Sequence, residues 1–146
     1  MLAIVTLCCA FVFAPTSEDL ELTCEADKSL FFSEAAEGSG RNQYLEIYNP
    51  TDTEIDLSGY AFPNTANAPK QAGKHEYWNE FGKDCKTDNC RNKKISSKGI
   101  YVLCNPNADA KITAKCDQEH KYLSNGNDGY CLVKGTDATH DMIDCA

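Results

Sequence analysis

The three histidines are the first residues to test for chemistry, because histidine is the side chain that most often acts as a general acid or base near neutral pH. Each lies beside an acidic residue, in the pairs His75–Glu76, Glu119–His120 and His140–Asp141. Such neighbours arise easily in a chain with 22 acidic residues, so we interpret the histidines as solvated loop residues. The sequence also lacks a nucleophile elbow, an HExxH motif and a phosphate-binding glycine loop. We therefore predict no catalytic residue and no cofactor.

The segment SNGNDGY, from Ser124 to Tyr130, alternates side-chain oxygens with glycines. It superficially resembles a calcium loop, but it lacks the bidentate glutamate that closes an EF-hand, and its Asn-Gly and Asp-Gly pairs suit a hairpin turn. We interpret it chiefly as a turn and predict no metal site. One hypothesis remains, that Asp128, Glu46 and Asp56 form an acidic surface that weakly binds Ca²⁺. The polar side chains kept as binding candidates are Asn125, Asn127 and Asp128.

Aromatic residues form the second set of binding candidates. Exposed aromatic side chains are what a carbohydrate- or protein-binding face would use. The same side chains can instead cover the inner faces of two sheets beneath a long loop, and both interpretations stay open. The candidates are Tyr44, Tyr48, Tyr77 and Trp78, with Tyr60 as a further aromatic of the same set.

Nine cysteines favour an oxidising compartment, because a small acidic cytosolic protein rarely carries so many. Cys8 and Cys9 lie in an apolar run, and one of the remaining seven must be left unpaired. Spacing disfavours a structural zinc site, because such a site needs two closely spaced pairs of Cys or His ligands and the sequence does not contain two such pairs. Many connectivities are possible, and the bridges with the shortest loops are Cys85–Cys90, Cys104–Cys116 and Cys131–Cys145. Cys24 would then be the odd thiol, available for an intermolecular disulfide.

The N-terminus has an uninterrupted apolar run from Leu2 to Ala14, followed by an acidic stretch. The run is too short for a comfortable bilayer span and fits the apolar region of a secretory signal peptide, although no Lys or Arg precedes it. We assign residues 1–16 to a signal peptide and residues 17–29 to an acidic tail. A short anchor, a buried strand and a plastid-targeting segment are the alternatives. The net charge of −8 argues against a nucleic-acid partner.

Short alternating runs separated by turn residues dominate the rest of the chain, which is typical of strands. In YLEIYN, Leu45 and Ile47 point to one side while the tyrosines and Glu46 point to the other. NPTDTE predicts a turn, and IDLSGYAF predicts a second strand. Further strands are expected at KGIYVLC, at 130–134 and at 142–145, with a helical turn capped by Asn107 or Asp109. Residues 30–146 therefore predict one all-β sandwich stabilised by disulfides.

Residues 63–97 break this pattern and predict a long polar loop, which in proteins of this size is usually functional or disordered. The loop holds the only tryptophan, Trp78, and we expect its middle to pack onto the domain. Its second half is basic and is interpreted as a solvated stretch, with contact to an acidic partner as the alternative.

The segments FFSEAAEGSGRNQYLEIYNPTDTEIDLSGY and KGIYVLCNPNADAKITAKCDQEHKYLSNGNDGYCLVKG closely resemble the lamin-tail domain family, particularly the versions in secreted bacterial and algal proteins. The resemblance extends from about Leu30 to the C-terminus, except for the region from Cys85 to Ser97. It implies an immunoglobulin-like β-sandwich, in agreement with the alternation of the strands. Family domains commonly continue beyond the last strand, here MIDCA, so we expect a trimmed or truncated domain.

The resemblance implies binding rather than catalysis, since lamin-tail domains outside the nucleus accompany nucleases, phosphoesterases and surface proteins as binding or anchoring units. We expect a secreted, non-catalytic binding or structural module with a protein, extracellular-matrix or surface partner. An organelle lumen is the alternative location. The alternative functions are an accessory domain of a larger secreted hydrolase, or a small subunit of a large assembly that docks through the N-terminal apolar run.

Overall fold

The computed structural model describes residues 29–83, 93–123 and 126–146, and these residues form an almost entirely β structure. Within these ranges ten strands follow one another, and several have only two residues. They are β1 (Phe31–Glu37), β2 (Gln43–Tyr48), β3 (Ile55–Asp56), β4 (Tyr60–Ala61), β5 (Asn64–Thr65), β6 (Lys94–Ile95), β7 (Ile100–Cys104), β8 (Gln118–Glu119), β9 (Gly129–Thr136) and β10 (Thr139–Cys145). A short α-helix, α1 (Ala110–Thr113), lies between β7 and β8.

The longer strands belong to two sheets. The first has the order β1-β2-β7-β8, with β8 parallel to β7 and the other pairs antiparallel. The second has the order β10-β9-β4, and β5 also pairs with β9. A small two-stranded sheet joins β3 to β6. The predicted all-β fold with sandwich-like packing is confirmed.

The core lies between the two sheets and follows from the period of two along each strand. Leu45 and Ile47 of β2 are buried on the same side, as predicted, and β9 places Leu132 opposite them. Burying each such side chain contributes about 1.5–3 kcal/mol. The described residues of this core are Leu30, Leu45, Ile47, Leu57, Phe62, Phe81, Ile95, Tyr101, Leu103, Leu123, Tyr130 and Leu132.

A second, smaller apolar cluster covers the outer side of β7. Val102 and Cys104 are buried there because the segment after β7 folds back over them, and the disulfide between Cys104 and Cys116 holds it in place. A second disulfide joins Cys131 of β9 to Cys145 of β10. Both bridges are among those with the shortest loops, whereas Cys24, Cys85 and Cys90 lie outside the described residues.

Asn49 organises the turn that follows β2. Its side chain is fully buried, and its Nδ2 donates hydrogen bonds to the main-chain oxygens of Thr53, Ile95 and Ser96 at 2.8, 3.2 and 3.0 Å. Its Oδ1 accepts from the main-chain nitrogen of Thr51 at 3.0 Å. One asparagine therefore joins the NPTDTE turn to the strand β6, which lies 46 residues further along the chain.

The structure corrects two details of the predicted elements. The predicted strand IDLSGYAF is interrupted by a 3-10 turn at Leu57–Gly59, because the Asp56 carboxylate accepts the main-chain N–H of Ser58 at 2.8 Å and starts a turn. The helical turn α1 does form after Asp109, but that side chain does not cap it. Asp109 instead accepts from Nδ2 of Asn42 at 2.9 Å, since the β1–β2 hairpin lies beside it.

Two segments of the predicted 63–97 loop are strands, β5 and β6, and Phe81 between them is part of the core. Buried Gln118 ties this region to the first sheet, since its Oε1 accepts from the main-chain nitrogen of Gly82 at 2.8 Å and from the Tyr101 hydroxyl at 3.2 Å. The described part of the chain contains no helical segment with the length and hydropathy of a membrane span.

Candidate functional site

A groove with a volume of about 1060 Å³ opens where four parts of the chain meet. These are the start of β2 at Gln43, the segments 64–67 and 76–79, and the connection from β8 to β9, through residues 120–123 and Asp128. Each of these segments follows or precedes a strand of the sandwich. The fold therefore fixes the walls of the groove on a rigid β scaffold.

Two tyrosines lining the groove present their rings to solvent. Tyr77 is 54% exposed and Tyr122 is 70% exposed, which makes them the two most exposed of the large aromatic residues described. Trp78 lines the same groove and is half-buried. Its indole Nε1 donates to Oε1 of Glu80 at 3.2 Å, so what it offers to a ligand is the apolar part of its ring.

The main chain of both tyrosines is fixed although their side chains are exposed. Tyr77 exchanges two main-chain hydrogen bonds with Asn64, at 2.9 and 3.0 Å. The main-chain oxygen of Tyr122 accepts a 2.6 Å hydrogen bond from the hydroxyl of Tyr130, which is buried in the core. Burial, and next the nearby Asp128 carboxylate, raise the pKa of Tyr130, so this hydroxyl keeps its proton and remains a donor.

Side-chain amides line the groove between the aromatic rings. Asn64 is only 5% exposed, and its Oδ1 accepts from Nδ2 of Asn79 at 2.9 Å. The same Nδ2 donates to the main-chain oxygen of Phe62 at 3.0 Å. On the opposite side, Oε1 of Gln43 accepts from Nδ2 of Asn105 at 2.9 Å. These bonds hold three amide groups of the lining in defined orientations.

Two of the binding candidates predicted in SNGNDGY, Asn127 and Asp128, bond to the loop that follows β5. Asp128 lines the groove, and its Oδ1 accepts from the main-chain nitrogen of Asn67 at 2.7 Å. Nδ2 of Asn127 donates to Oδ1 of Asn67 at 2.6 Å. These two bonds join the turn before β9 to the loop after β5. Asn125 lies outside the described residues.

Among the described residues that line the groove, four are charged, and their formal charges balance. Arg41 and Lys121 are basic, while Glu76 and Asp128 are acidic. Oε1 of Glu76 is 3.1 Å from the ammonium of Lys70, which is not one of the lining residues. Hydrogen bonding with Glu76, and next its negative charge, raise the pKa of Lys70. The groove therefore has no excess of either sign.

The histidines are half-buried among aromatic rings, so the prediction that they are solvated is wrong. Nε2 of His75 is 2.7 Å from Oδ1 of Asp137, and the ring centroid of His75 lies 5.3 Å from that of Trp78. His140 completes this group, 5.4 Å from His75. His120 lines the groove and packs 5.2 Å from the ring of Phe62. His140 belongs to strand β10, whereas His75 and His120 lie between strands, and contacts between distant parts of the chain place each ring, so sequence neighbours did not reveal these contacts.

The structure does not bring Tyr44 and Tyr48 to the groove. Both project from the outer side of β2, where Tyr48 packs against Phe31 with ring centroids 5.6 Å apart. Tyr44 packs against the cluster around the Cys104–Cys116 disulfide, and a hydrogen bond with Glu34 raises its pKa. The predicted aromatic set is thus divided between two surfaces.

The hypothesis of an acidic Ca²⁺ surface does not hold. The carboxylate of Glu46 accepts from the hydroxyl of Ser33 at 2.7 Å, Asp56 bonds to Ser58, and Asp128 bonds to Asn67. Across residues 29–83, 93–123 and 126–146, no group of three or more His, Cys, Asp or Glu side chains has the arrangement of a metal site. The three carboxylates are separated because each belongs to a different turn or strand.

Sequence reasoning missed Tyr122 and the amide pair of Asn64 and Asn79. Tyr122 lies two residues before Ser124, the first residue of SNGNDGY, and an aromatic residue near a tight turn is a usable signal for exposure. The amide pair has no comparable signal, because it depends on the antiparallel contact between residues 64 and 77.

No family model and no curated protein sequence matches this chain. Its function is therefore argued from the groove and from the fold that builds it.

Proposed function

We propose that the protein is a non-catalytic binding module that acts outside the cell, with an immunoglobulin-like β-sandwich of lamin-tail type. The groove lined by Tyr77, Trp78 and Tyr122 is its binding surface. The observation that carries this proposal is the exposure of two aromatic rings, in one groove, on main chain that is fixed by the core.

Exposed aromatic side chains on a fixed main chain favour binding, because they supply contact area at a low entropic cost. An aromatic residue whose main chain is already fixed needs no ordering of its backbone when a ligand arrives. Large, well-formed pockets with a few convergent polar groups are the usual location of ligand sites.

Two features support a location outside the cell. The described disulfides Cys104–Cys116 and Cys131–Cys145 persist in oxidising compartments, and the apolar run from Leu2 to Ala14 suits a cleaved signal. Intact-mass analysis of the native protein tests this proposal. We expect residues 1–16 to be missing from the mature chain, and a mass that retains them together with free thiols at all four positions contradicts it.

A surface-binding assay tests the function. The labelled protein and a Tyr77→Ala/Tyr122→Ala double variant are incubated with washed cells and extracellular material of the source organism. We expect saturable binding by the wild type and a loss of at least about tenfold in affinity for the double variant. Tyr48→Ala is the matched control, because Tyr48 is a tyrosine outside the groove. Equal binding by all three proteins, or saturable hydrolysis of a substrate that depends on His75, contradicts a non-catalytic binding role.

A further inference from the structure

We propose that the groove binds neutral oligosaccharides, with Tyr77 and Tyr122 packing against sugar rings and the amides of the lining bonding to hydroxyl groups. This inference rests on the proposed binding function and names its ligand class. Three properties of the groove carry it: the aromatic faces, the hydrogen-bonding capacity of the amides and the balance of charge.

The aromatic faces match the shape of a pyranose ring, which has polar edges and apolar C–H faces. A tyrosine ring gives dispersion contact to such a face and keeps its hydroxyl at the rim. Tyr77 and Tyr122 are 54% and 70% exposed, so both rings are accessible. Their main chain is held by Asn64 and Tyr130, so neither ring needs a large movement of the backbone to accept a ligand.

The amide groups have capacity to spare for a ligand. A side-chain amide offers two N–H donors and an oxygen with two lone pairs. Among the described residues, Asn64 and Gln43 are engaged through their oxygens and Asn79 through its nitrogen. The amide nitrogens of Asn64 and Gln43 and the oxygen of Asn79 have no partner in this part of the chain. Together they supply both donors and acceptors, which is what neighbouring hydroxyl groups require.

The charge balance favours a neutral ligand. Arg41 and Lys121 are offset by Glu76 and Asp128, and the ammonium of Lys121 lies 5.7 Å from the ring centroid of Tyr122. Acidic glycans and nucleic acids need an excess of basic over acidic groups to bind, and the described lining of the groove has no such excess. The net charge of −8 on the chain opposes a polyanion further.

A peptide fits the groove less well. Extended peptides bind by adding a strand to an open sheet edge, or by placing apolar anchors in pockets. Asn64 of β5 is already paired on both sides, with Tyr130 of β9 and with Tyr77, so it presents no open edge. The aliphatic members of the lining are Ala66 and Leu123, and Leu123 is part of the core, which leaves no apolar anchor pocket among the described lining residues.

Titration with defined sugars tests the inference. Soluble hexasaccharides of β-glucan, xylan, mannan and chitin are added to the full mature chain, and binding is followed by calorimetry and by the fluorescence of Trp78. We expect saturable binding of at least one sugar with a Kd in the micromolar to millimolar range. Heparin-derived hexasaccharide, an acidic probe of similar length, is expected not to bind.

Point variants then assign binding to the groove. We expect Tyr77→Ala and Tyr122→Ala each to weaken binding by about tenfold or more, and Tyr77→Phe and Tyr122→Phe to stay within about threefold of wild type. Tyr48→Ala is expected to bind like the wild type. Thermal unfolding of each variant is measured in parallel, and the exposed positions of both groove tyrosines make a loss of folding unexpected.

Two outcomes overturn the inference: no saturable binding of any neutral sugar, or equal weakening by Tyr48→Ala and the groove variants. In the first case the surface-binding assay separates the two proposals. If Tyr77→Ala/Tyr122→Ala still loses surface binding, the groove is a binding site for another ligand class and only the carbohydrate inference fails. If the double variant binds the surface like the wild type, the proposed function fails as well.

Discussion

The hydroxyl of Tyr130 lies 2.6 Å from the main-chain oxygen of Tyr122. Tyr130 is buried in the core and Tyr122 is the most exposed of the large hydrophobic side chains described, so one hydrogen bond joins the inside of the sandwich to its groove. The buried Tyr130 thus holds the main chain of Tyr122, whose ring is exposed. The stability of the fold and the geometry of the groove depend on the same bond.

Removing the Tyr130 hydroxyl tests this bond. Tyr130→Phe is expected to lower the free energy of unfolding by about 1–2 kcal/mol, because the Tyr122 carbonyl loses its donor while the apolar ring is kept. Urea denaturation measures the change. Tyr122→Phe is the control and should leave stability unchanged, since only the main chain of Tyr122 accepts the bond. Equal stability of all three proteins would show that the hydroxyl contributes nothing.

Asn49→Asp tests the buried amide after β2. The substitution keeps the shape of the side chain but replaces an N–H₂ donor, which bonds three carbonyls, with a charged oxygen. We expect a loss of about 3 kcal/mol or more in the free energy of unfolding, because a buried carboxylate would face main-chain oxygens. The matched control is Asn107→Asp, since Asn107 is exposed. A loss in the free energy of unfolding that is smaller for Asn49→Asp than for Asn107→Asp would contradict the role of Asn49.

The two disulfides are expected to differ in accessibility. Cys104 and Cys116 are buried, whereas Cys145 is exposed and Cys131 is half-buried. Mild dithiothreitol followed by alkylation should therefore label Cys131 and Cys145 before the other pair, as read by peptide mass spectrometry. Simultaneous labelling of both pairs in the folded protein would refute this order.

Replacing Cys104 and Cys116 together by alanine is expected to cost about 3 kcal/mol of stability, because their bridge closes a loop with a sequence separation of 12 and its sulfurs belong to a buried cluster. Thermal unfolding measures the loss. The pair Cys131→Ala/Cys145→Ala serves as the comparison, since its loop has a similar separation of 14. A double variant at 104 and 116 as stable as the wild type would mean that the bridge does not hold the segment over β7.

Acid titration of Trp78 fluorescence reports on Glu80. The hydrogen bond from Lys83 is the main cause that lowers the pKa of Glu80, and the indole N–H of Trp78 contributes to the same shift. A carboxyl with a depressed pKa in the folded state stabilises the protein above the ordinary glutamate pKa of about 4.3, and this contribution is lost as pH falls through the depressed value. We expect a fluorescence transition that depends on Glu80 and has its midpoint below the ordinary glutamate pKa.

Glu80→Gln should abolish the acid transition of Trp78, because glutamine does not titrate. Glu54→Gln is the control, since Glu54 pairs with Lys94 on the small β3–β6 sheet. A transition that is lost in Glu80→Gln but has its midpoint at or above the ordinary glutamate pKa would show that Lys83 and Trp78 do not stabilise the charged form of Glu80.

The sequence determined the local elements, because their signals are local. The alternation in YLEIYN places Leu45 and Ile47 in the core, since a period of two is a property of any strand. The Gly40 turn between β1 and β2 needs a positive φ of 68°, which glycine adopts without strain. The pairs Cys104–Cys116 and Cys131–Cys145 are close along the chain, so short loops identified them among many possible pairings.

Tertiary structure alone decided which candidates share a surface. Tyr77 and Asp128 line one groove although 51 residues separate them along the chain, while Tyr44 and Tyr48 lie on another face. The antiparallel pairing of β5 with β9, and of Asn64 with Tyr77, brings these segments together. Such long-range pairing depends on burial of the whole core, and for that reason no short stretch of sequence encodes the groove.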